Sequence, residues 1–213
     1  MRTNLRPHVL LAALLALLAG CVSSKTDGAQ DGVEAQLLEK TREGARELLK
    51  AAQASGGSAT RWVAVVPVEV AGERAPNRQL EQRAETEIFQ AAVRARGLRP
   101  IQRDAVARAA IKAAVEHPSD MHSPAVRGTL VQALRAGGHD PRYLVLGVLQ
   151  SSWVQGEGGE AHLQYSVELT LLSSDGRQLG RYSTTVDDDA ARGDKPPVDG
   201  GKGGNQSATP SSR

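Results

Sequence analysis

The stretch AHLQYSVELTLL, residues 161–172, decides how the rest of the chain is read: Leu163, Tyr165, Val167, Leu169 and Leu171 alternate with His162, Gln164, Ser166, Glu168 and Thr170. A period of two sends successive side chains to opposite faces, so the stretch is a strand with one apolar and one wet face. Working outward, Ser173-Ser174-Asp175-Gly176 supplies a tight hairpin turn. Residues 178–186 then form a further antiparallel strand. On the other side, residues 143–154 are a long apolar run joined to the first strand through the glycine-rich segment 155–160. The last ordered third is therefore an antiparallel meander.

Upstream the pattern is mixed. Trp62-Val63-Ala64-Val65-Val66-Pro67-Val68-Glu69-Val70 is nearly continuous in strand-forming residues and predicts one buried strand, with Pro67 near an edge or a bulge. Residues 72–77 read as a turn. Over 79–96, Leu80, Ala84, Ile88, Ala91, Ala92 and Ala95 share one face of a helix, and Gly97 stands in the favoured position just past its end. A short strand is expected over 98–102. Asp104 is placed to cap a helix over 105–116, which His117-Pro118 stops. Ser123-Pro124 reads as an N-cap followed by proline at the first helical position, opening a helix that ends at Gly137-Gly138. The fold class is α/β of the α+β kind, a small mixed sheet with helices packed on it and a C-terminal antiparallel meander, occupying residues 60–187. Six aromatic rings in 213 residues mean that one modest core is built mainly from Val, Leu, Ile and Ala.

The two ends differ in kind from this middle. Arg2 and Arg6 precede an apolar segment over 9–19 that is too short to cross a bilayer, so residues 1–20 read as a secretory signal peptide. The junction Leu18-Ala19-Gly20-Cys21 resembles the lipobox of bacterial lipoproteins: a branched apolar residue, two small ones, then the thiol. That resemblance implies lipidation of Cys21 with acyl chains such as palmitate. Several chains anchor stably where one does not, at about 0.8 kcal/mol per buried methylene. Val22 in place of aspartate implies sorting to the outer membrane, with the folded part in the periplasm. The alternative is an ordinary secretory peptide with an incidental cysteine. Cys21 is the only cysteine, so no internal disulfide can form.

Residues 22–32 are polar and aperiodic and read as a flexible spacer. A helix is expected over 33–53, where Leu37, Leu38, Ala45, Leu48, Leu49 and Ala52 lie among charged residues, weakened by the interior Gly44 and ended by Ser55-Gly56-Gly57-Ser58. The whole of 21–59 is thus expected to be a lipidated spacer carrying a helix, reaching roughly 90 Å if the helix stands free and the rest is extended. Residues 188–213 are expected to be a disordered tail.

Charge and motifs narrow the function. Removing residues 1–20 takes away two of 26 basic residues and none of 24 acidic ones, so the mature chain is formally neutral. It carries neither a basic stripe nor interleaved aromatics, and no nucleic-acid partner is expected. His117, Asp120 and His122 form the best candidate for a metal or catalytic cluster, but a solvated polar loop accounts for the same residues. His139 and His162 read as exposed structural residues. Gly156, Gly158 and Gly159 look like a phosphate loop, yet they join two strands and open no helix. The run Asp187-Asp188-Asp189 lacks the spacing and terminal glutamate of a calcium loop. Trp62 is expected in the core, whereas Trp153, beside Ser151, Ser152 and Gln155, is either core or a partly exposed anchor for a partner. No catalytic residue, metal or cofactor is assigned, and an enzyme is not expected.

The order of elements resembles the outer-membrane lipoproteins of the LpoB type, which activate penicillin-binding proteins, and is similar to the related curli-secretion and flagellar lipoproteins. The residues that carry this are 61–70 for the first strand, 88–103 with Gly97-Leu98-Arg99-Pro100-Ile101-Gln102-Arg103, the run Asp140-Pro141-Arg142-Tyr143-Leu144-Val145-Leu146-Gly147, and the hairpin over 165–181 with its Asp175-Gly176 turn. Glu69 to Gly72, Tyr182 and a shorter spacer depart from the family pattern. The resemblance implies a tethered domain that binds and stimulates a peptidoglycan synthase, a penicillin-binding protein, without chemistry of its own. The alternative is a subunit of a secretion or flagellar assembly.

Overall fold

The computed structural model describes residues 26–54, 59–72, 78–155 and 161–188. In chain order they form helix α1 (Thr26–Ala54), strands β1 (Arg61–Val65) and β2 (Glu69–Gly72), helix α2 (Arg78–Arg94), strand β3 (Leu98–Pro100), helix α3 (Arg103–Lys112), a 3₁₀ helix (Pro118–His122), helix α4 (Pro124–Ala136), and strands β4 (Pro141–Gln155), β5 (Ala161–Ser173) and β6 (Gln178–Asp188). They build one six-stranded sheet in the order β3-β1-β4-β5-β6, and β2 pairs with β4 beyond the point where β1 stops. β1 is parallel to both β3 and β4, and β4, β5 and β6 are antiparallel. The mixed sheet and closing meander expected from the sequence are present.

The strand expected over 62–70 is two strands: β1 is interior, between β3 and β4, and β2 pairs with β4 alone. Val65 lies opposite Val145 and Glu69 opposite Val148, so this chain spends one more residue than β4 across the gap, which makes a bulge. Pro67, which has no N–H to give a ladder, sits exposed in that bulge. Val68 N–H donates instead to Glu85 Oε1 at 3.2 Å, and Arg103 reaches the other oxygen of the same carboxylate at 2.5 Å.

Helices cover the two faces unequally. On one face α1 and α2 bury Leu37, Leu48, Leu49, Leu80 and Ile88 against Val145, Val167 and Leu169. On the other, α3 and α4 cover only the β1 and lower β4 region, where Ile101, Met121, Leu130 and Leu134 meet Ala64, Leu144 and Leu146. The crossover from β1 and β2 to β3 uses α2, and that from β3 to β4 uses α3 and α4, on opposite faces.

The largest correction concerns α1. It begins at Thr26, inside the segment expected to stay unfolded, and it is part of the core: Leu37 is fully buried, and Leu48 and Leu49 are 4% and 1% exposed. Three such leucines contribute about 2 kcal/mol each, which outweighs the loss of about 1 kcal/mol from a glycine inside a helix. Gly44 has a use here, because its missing side chain lets the ring of Tyr182 on β6 lie flush on the helix. Ion pairs from Arg42 to Glu87 at 2.6 Å and from Arg83 to Glu34 at 3.0 Å fasten α1 to α2. At its C-terminal end, Arg61 and Tyr143 Oη both donate to the carbonyl of Ala52, and Arg61 also donates to Tyr143 Oη at 2.9 Å. A cation at a helix C-terminus is favoured by the helix dipole. The folded unit therefore starts at α1, not at residue 60. Ser55-Gly56-Gly57-Ser58, the glycines at 156, 158 and 159, and residues 73–77 lie outside the described residues, as do 1–25 and 189–213. Asp188, assigned to the tail from the sequence, is the last residue of β6.

Smaller corrections have local causes. Asp104 lies inside the first turn of α3, while Gln102 takes the cap position without a side-chain bond. α3 stops at Lys112, before His117-Pro118, because the chain turns at Ala114 with φ of 52° in the left-handed region. The loop expected around Asp120 is a 3₁₀ helix. Ser123 and Pro124 hold the cap and first helical positions of α4, and Gly97 takes φ of 72° after α2.

Candidate binding face

Because α3 and α4 cover only the lower part of their side, the upper half of the meander presents an open face. β4 contributes Val148, Gln150, Ser152 and Val154, and β5 contributes His162, Gln164, Ser166 and Glu168 directly opposite them in register. β6 adds Arg181, Ser183, Thr185 and Asp187, all exposed. The alternation in the sequence of β5 places these residues: its odd positions from Leu163 to Leu171 are buried on the α1 side, and its even positions from His162 to Glu168 are half-buried on the other, while Thr170 and Leu172 are buried there.

The chemistry of this face is polar and loosely paired. Glu168 meets Arg181 at 2.9 Å, and Asp187 accepts from Gln164 Nε2 at 2.9 Å with His162 Nε2 3.7 Å away. Pairs of this exposure are worth about 0–1 kcal/mol each, so a partner can replace them at little cost. Serine and threonine fill much of the remainder, and short side chains lose little rotamer freedom on contact. Trp153 is not part of this face: its register partner is Leu163, and it packs half-buried on the α1 side of the sheet.

The other residues singled out in the sequence separate. Asp120 Oδ2 accepts from the backbone N–H of His117 at 2.8 Å and of Glu116 at 2.9 Å, and those bonds, that from His117 first, hold its carboxyl below the usual carboxylate range. The His117 ring turns away to Glu69 Oε1 at 3.0 Å, and His122 contributes its carbonyl to Arg127. Among the described residues no three His, Cys, Asp or Glu side chains are placed to hold a metal. His139 is half-buried rather than exposed, edge-on to Trp62 with ring centroids 5.1 Å apart. Trp62 is only partly buried at the margin of the core, with the Arg99 guanidinium 4.5 Å from its ring centroid. Asp187 belongs to the open face and Asp189 lies outside the described residues, as does Cys21.

Sequence reading missed Arg127. Its guanidinium is buried and donates to the carbonyls of Met121 at 2.7 Å, His122 at 3.3 Å and Asp175 at 3.1 Å, tying the 3₁₀ helix to the β5–β6 turn. Gly176 faces it, where a side chain would collide with the guanidinium. The only signal in the sequence is an arginine at a position where the helical spacing of Leu130 and Leu134 calls for an apolar residue.

No family model matches the chain, and no curated protein matches it. Among solved structures it is similar to the LpoB C-terminal domain from Salmonella enterica, at 16% identity and a TM-score of 0.45 over 68% of this chain and 97% of that one. It is also similar to LpoB from Escherichia coli, at 11% identity and a TM-score of 0.45 over 70% and 68% of the two chains. Lipoprotein GNA1162 from Neisseria meningitidis matches at 14% identity and a TM-score of 0.35, over 60% of this chain and 82% of that one. Among the described residues, no helix is long and apolar enough to cross a membrane.

Proposed function

We propose that this chain is a lipid-anchored accessory protein of the cell envelope, tethered through Cys21 to the outer membrane, that binds a peptidoglycan synthase of the penicillin-binding class and activates it without chemistry of its own. The observation that carries this reading is the half-covered sheet: α1 and α2 seal one side of the meander, and the other side is left as an ordered polar face. The order of sequence motifs around that meander supplies the choice of partner. An activator shifts its target only through differential affinity for the active state, so what it requires is a binding face. The test is a pull-down and glycan-polymerisation assay with the mature protein and with Glu168→Arg combined with Arg181→Glu. Stimulation by the native protein and its loss in the variant are expected. No bound synthase and no stimulation by the native protein would refute the proposal.

A second reading draws support from the length of the tether. From Cys21 five residues precede α1, and the first core side chain, Val33, lies two turns into it. That leaves the folded body roughly 30 Å from the lipid, instead of roughly 90 Å with α1 free. A body held that close to its membrane suits a subunit of a secretion or flagellar assembly. Light scattering of the purified lipidated protein should then show a closed oligomer, and a strictly monomeric species would exclude this reading.

A further inference from the structure

β6 is the outermost strand of the sheet, and among the described residues no strand pairs with its outer side. The other margins are blunt. β3 has three residues and ends in Pro100, and β2 has four and ends in Gly72 at φ of 121°. From Gly180 to Asp187, β6 has no proline, lysine or bulge to discourage strand addition, and Tyr182, Thr184, Thr185 and Val186 are strand-forming residues.

The register determines which backbone groups are free. Ser173 N–H donates to the Arg177 carbonyl at 2.9 Å, so β5 turns the backbone groups of its odd residues toward β6 and those of its even residues toward β4. Tyr182, Thr184 and Val186, opposite Leu169, Val167 and Tyr165, therefore bond inward. The N–H and C=O groups of Arg181, Ser183, Thr185 and Asp187 point away from β5, out of the sheet edge. The side chains of these four are exposed on the open face, and Tyr182 and Thr184 are half-exposed on the α1 side.

This edge is complementary to itself. Arg181 and Asp187 lie equally far from Thr184 on either side of it. A second copy laid antiparallel about a two-fold axis at Thr184 brings Arg181 of each copy opposite Asp187 of the other. It also sets Ser183 opposite Thr185 and Tyr182 opposite Val186. Hydroxyl with hydroxyl, aromatic with β-branched and acid with base are all favourable cross-strand pairs. Outward residues meet outward residues, so both edges complete their ladders. Moving the axis to Ser183 or Thr185 separates the charges, and a parallel in-register addition sets Arg181 beside Arg181, where like charges repel. Each Arg181 then lies between Glu168 of its own copy, 2.9 Å away, and Asp187 of the other.

We propose that β6 is a dimer edge, through which two copies of this chain join antiparallel about Thr184 into one continuous sheet with both open faces on the same side. The pairing is isologous, uses up both edges and closes at two copies. It is independent of what the open face binds.

The test is light scattering of the mature chain carrying Cys21→Ser, which removes association through lipid, from about 1 μM to about 1 mM. A monomer–dimer equilibrium is expected. Arg181→Glu alone and Asp187→Arg alone should each weaken it by about tenfold or more, and an equal mixture of the two variants should recover it, because the mixed pair sets opposite charges at both ends of the ladder. Recovery on mixing also shows that both variants fold. In the native chain, amide exchange at Arg181, Ser183, Thr185 and Asp187 should slow about tenfold once about nine-tenths of the chains are paired, with Tyr182, Thr184 and Val186 already protected in the monomer. A monomer at every concentration, a dimer that the single variants leave intact, no recovery on mixing, or exchange without this alternation would overturn the proposal.

Discussion

Replacing Gly44 by alanine tests whether α1 belongs to the folded body. In a helix that stands free, Gly44→Ala stabilises by about 1 kcal/mol through propensity alone. In this fold an added methyl at residue 44 would lie 2.7 Å from both Cγ and Cε1 of Tyr182, far inside van der Waals contact. The offending atoms include the root of the ring, fixed by its attachment to β6, so a small swing of the side chain cannot relieve the clash. Overpacking of this kind costs about 1–3 kcal/mol, so the net expectation is destabilisation by about 1 kcal/mol. With a urea slope of about 2 kcal/mol per molar, the midpoint falls by about 0.5 M. Tyr182→Ala removes the obstacle, and in that background Gly44→Ala should stabilise by its full propensity gain of about 1 kcal/mol. The double-mutant cycle should therefore give a coupling of about 2 kcal/mol and, above all, a change of sign. Equal stabilisation by Gly44→Ala in both backgrounds would refute the packing of α1 on β6 and return the helix to the tether.

Three further outcomes are expected. Arg127→Ala removes the donor to three carbonyls, of which that of Met121 is buried, and should lower stability by about 2 kcal/mol in urea melts, with Arg127→Lys recovering only part, since an ammonium cannot span acceptors on two segments. Asp120, whose folded pKa lies below its unfolded value, contributes stability that is present above the ordinary carboxylate pKa of about 3.9 and is lost as pH falls through the folded value. Asp120→Asn should therefore lower the urea midpoint at neutral pH and flatten its fall on acidification, and an unchanged acid limb would count against the backbone cap. Cys21→Ser should move the protein from the detergent phase to the aqueous phase in phase partitioning and abolish the mass increment of the acyl chains.

The closing hairpin was legible because much of β5 and β6 has a solvent side: alternation over the first part of β5 is enforced by water on one face and by Leu37, Leu48 and Leu49 on the other. α2 was legible for the same reason, as its apolar stripe matches its buried face residue by residue. What the sequence concealed arises from contacts between distant segments. The apolar stripe of α1 was read correctly, but a stripe does not say what covers it, and a glycine inside it argued for weakness until Tyr182 was found on top. Pro67 signalled irregularity without revealing that β4 runs past it and pairs on both sides. The open face followed from the wet positions of β5, yet the cross-strand pairing of Glu168 with Arg181 required the register of β6.

Joining α1 to the core changes what a membrane anchor at Cys21 would do. A free helix acts as a spacer and lets the domain search a volume set by the whole tether. A helix sealed by Arg42, Arg83 and the Ala52 carbonyl contacts makes the domain and its first helix one rigid piece. A lipid at Cys21 would then act close to the N-terminal end of α1. The effective concentration of the open face near the membrane rises as the tether shortens, and it falls to nothing for a partner beyond its reach. With a lipid on Cys21, the same contacts that bury the hydrophobic stripe of α1 would therefore favour a partner that approaches the membrane. Lengthening the segment between Cys21 and Thr26 with a Gly-Ser insert separates the two readings of function: stimulation of a distant synthase should increase with length, whereas assembly of a membrane-proximal oligomer should weaken.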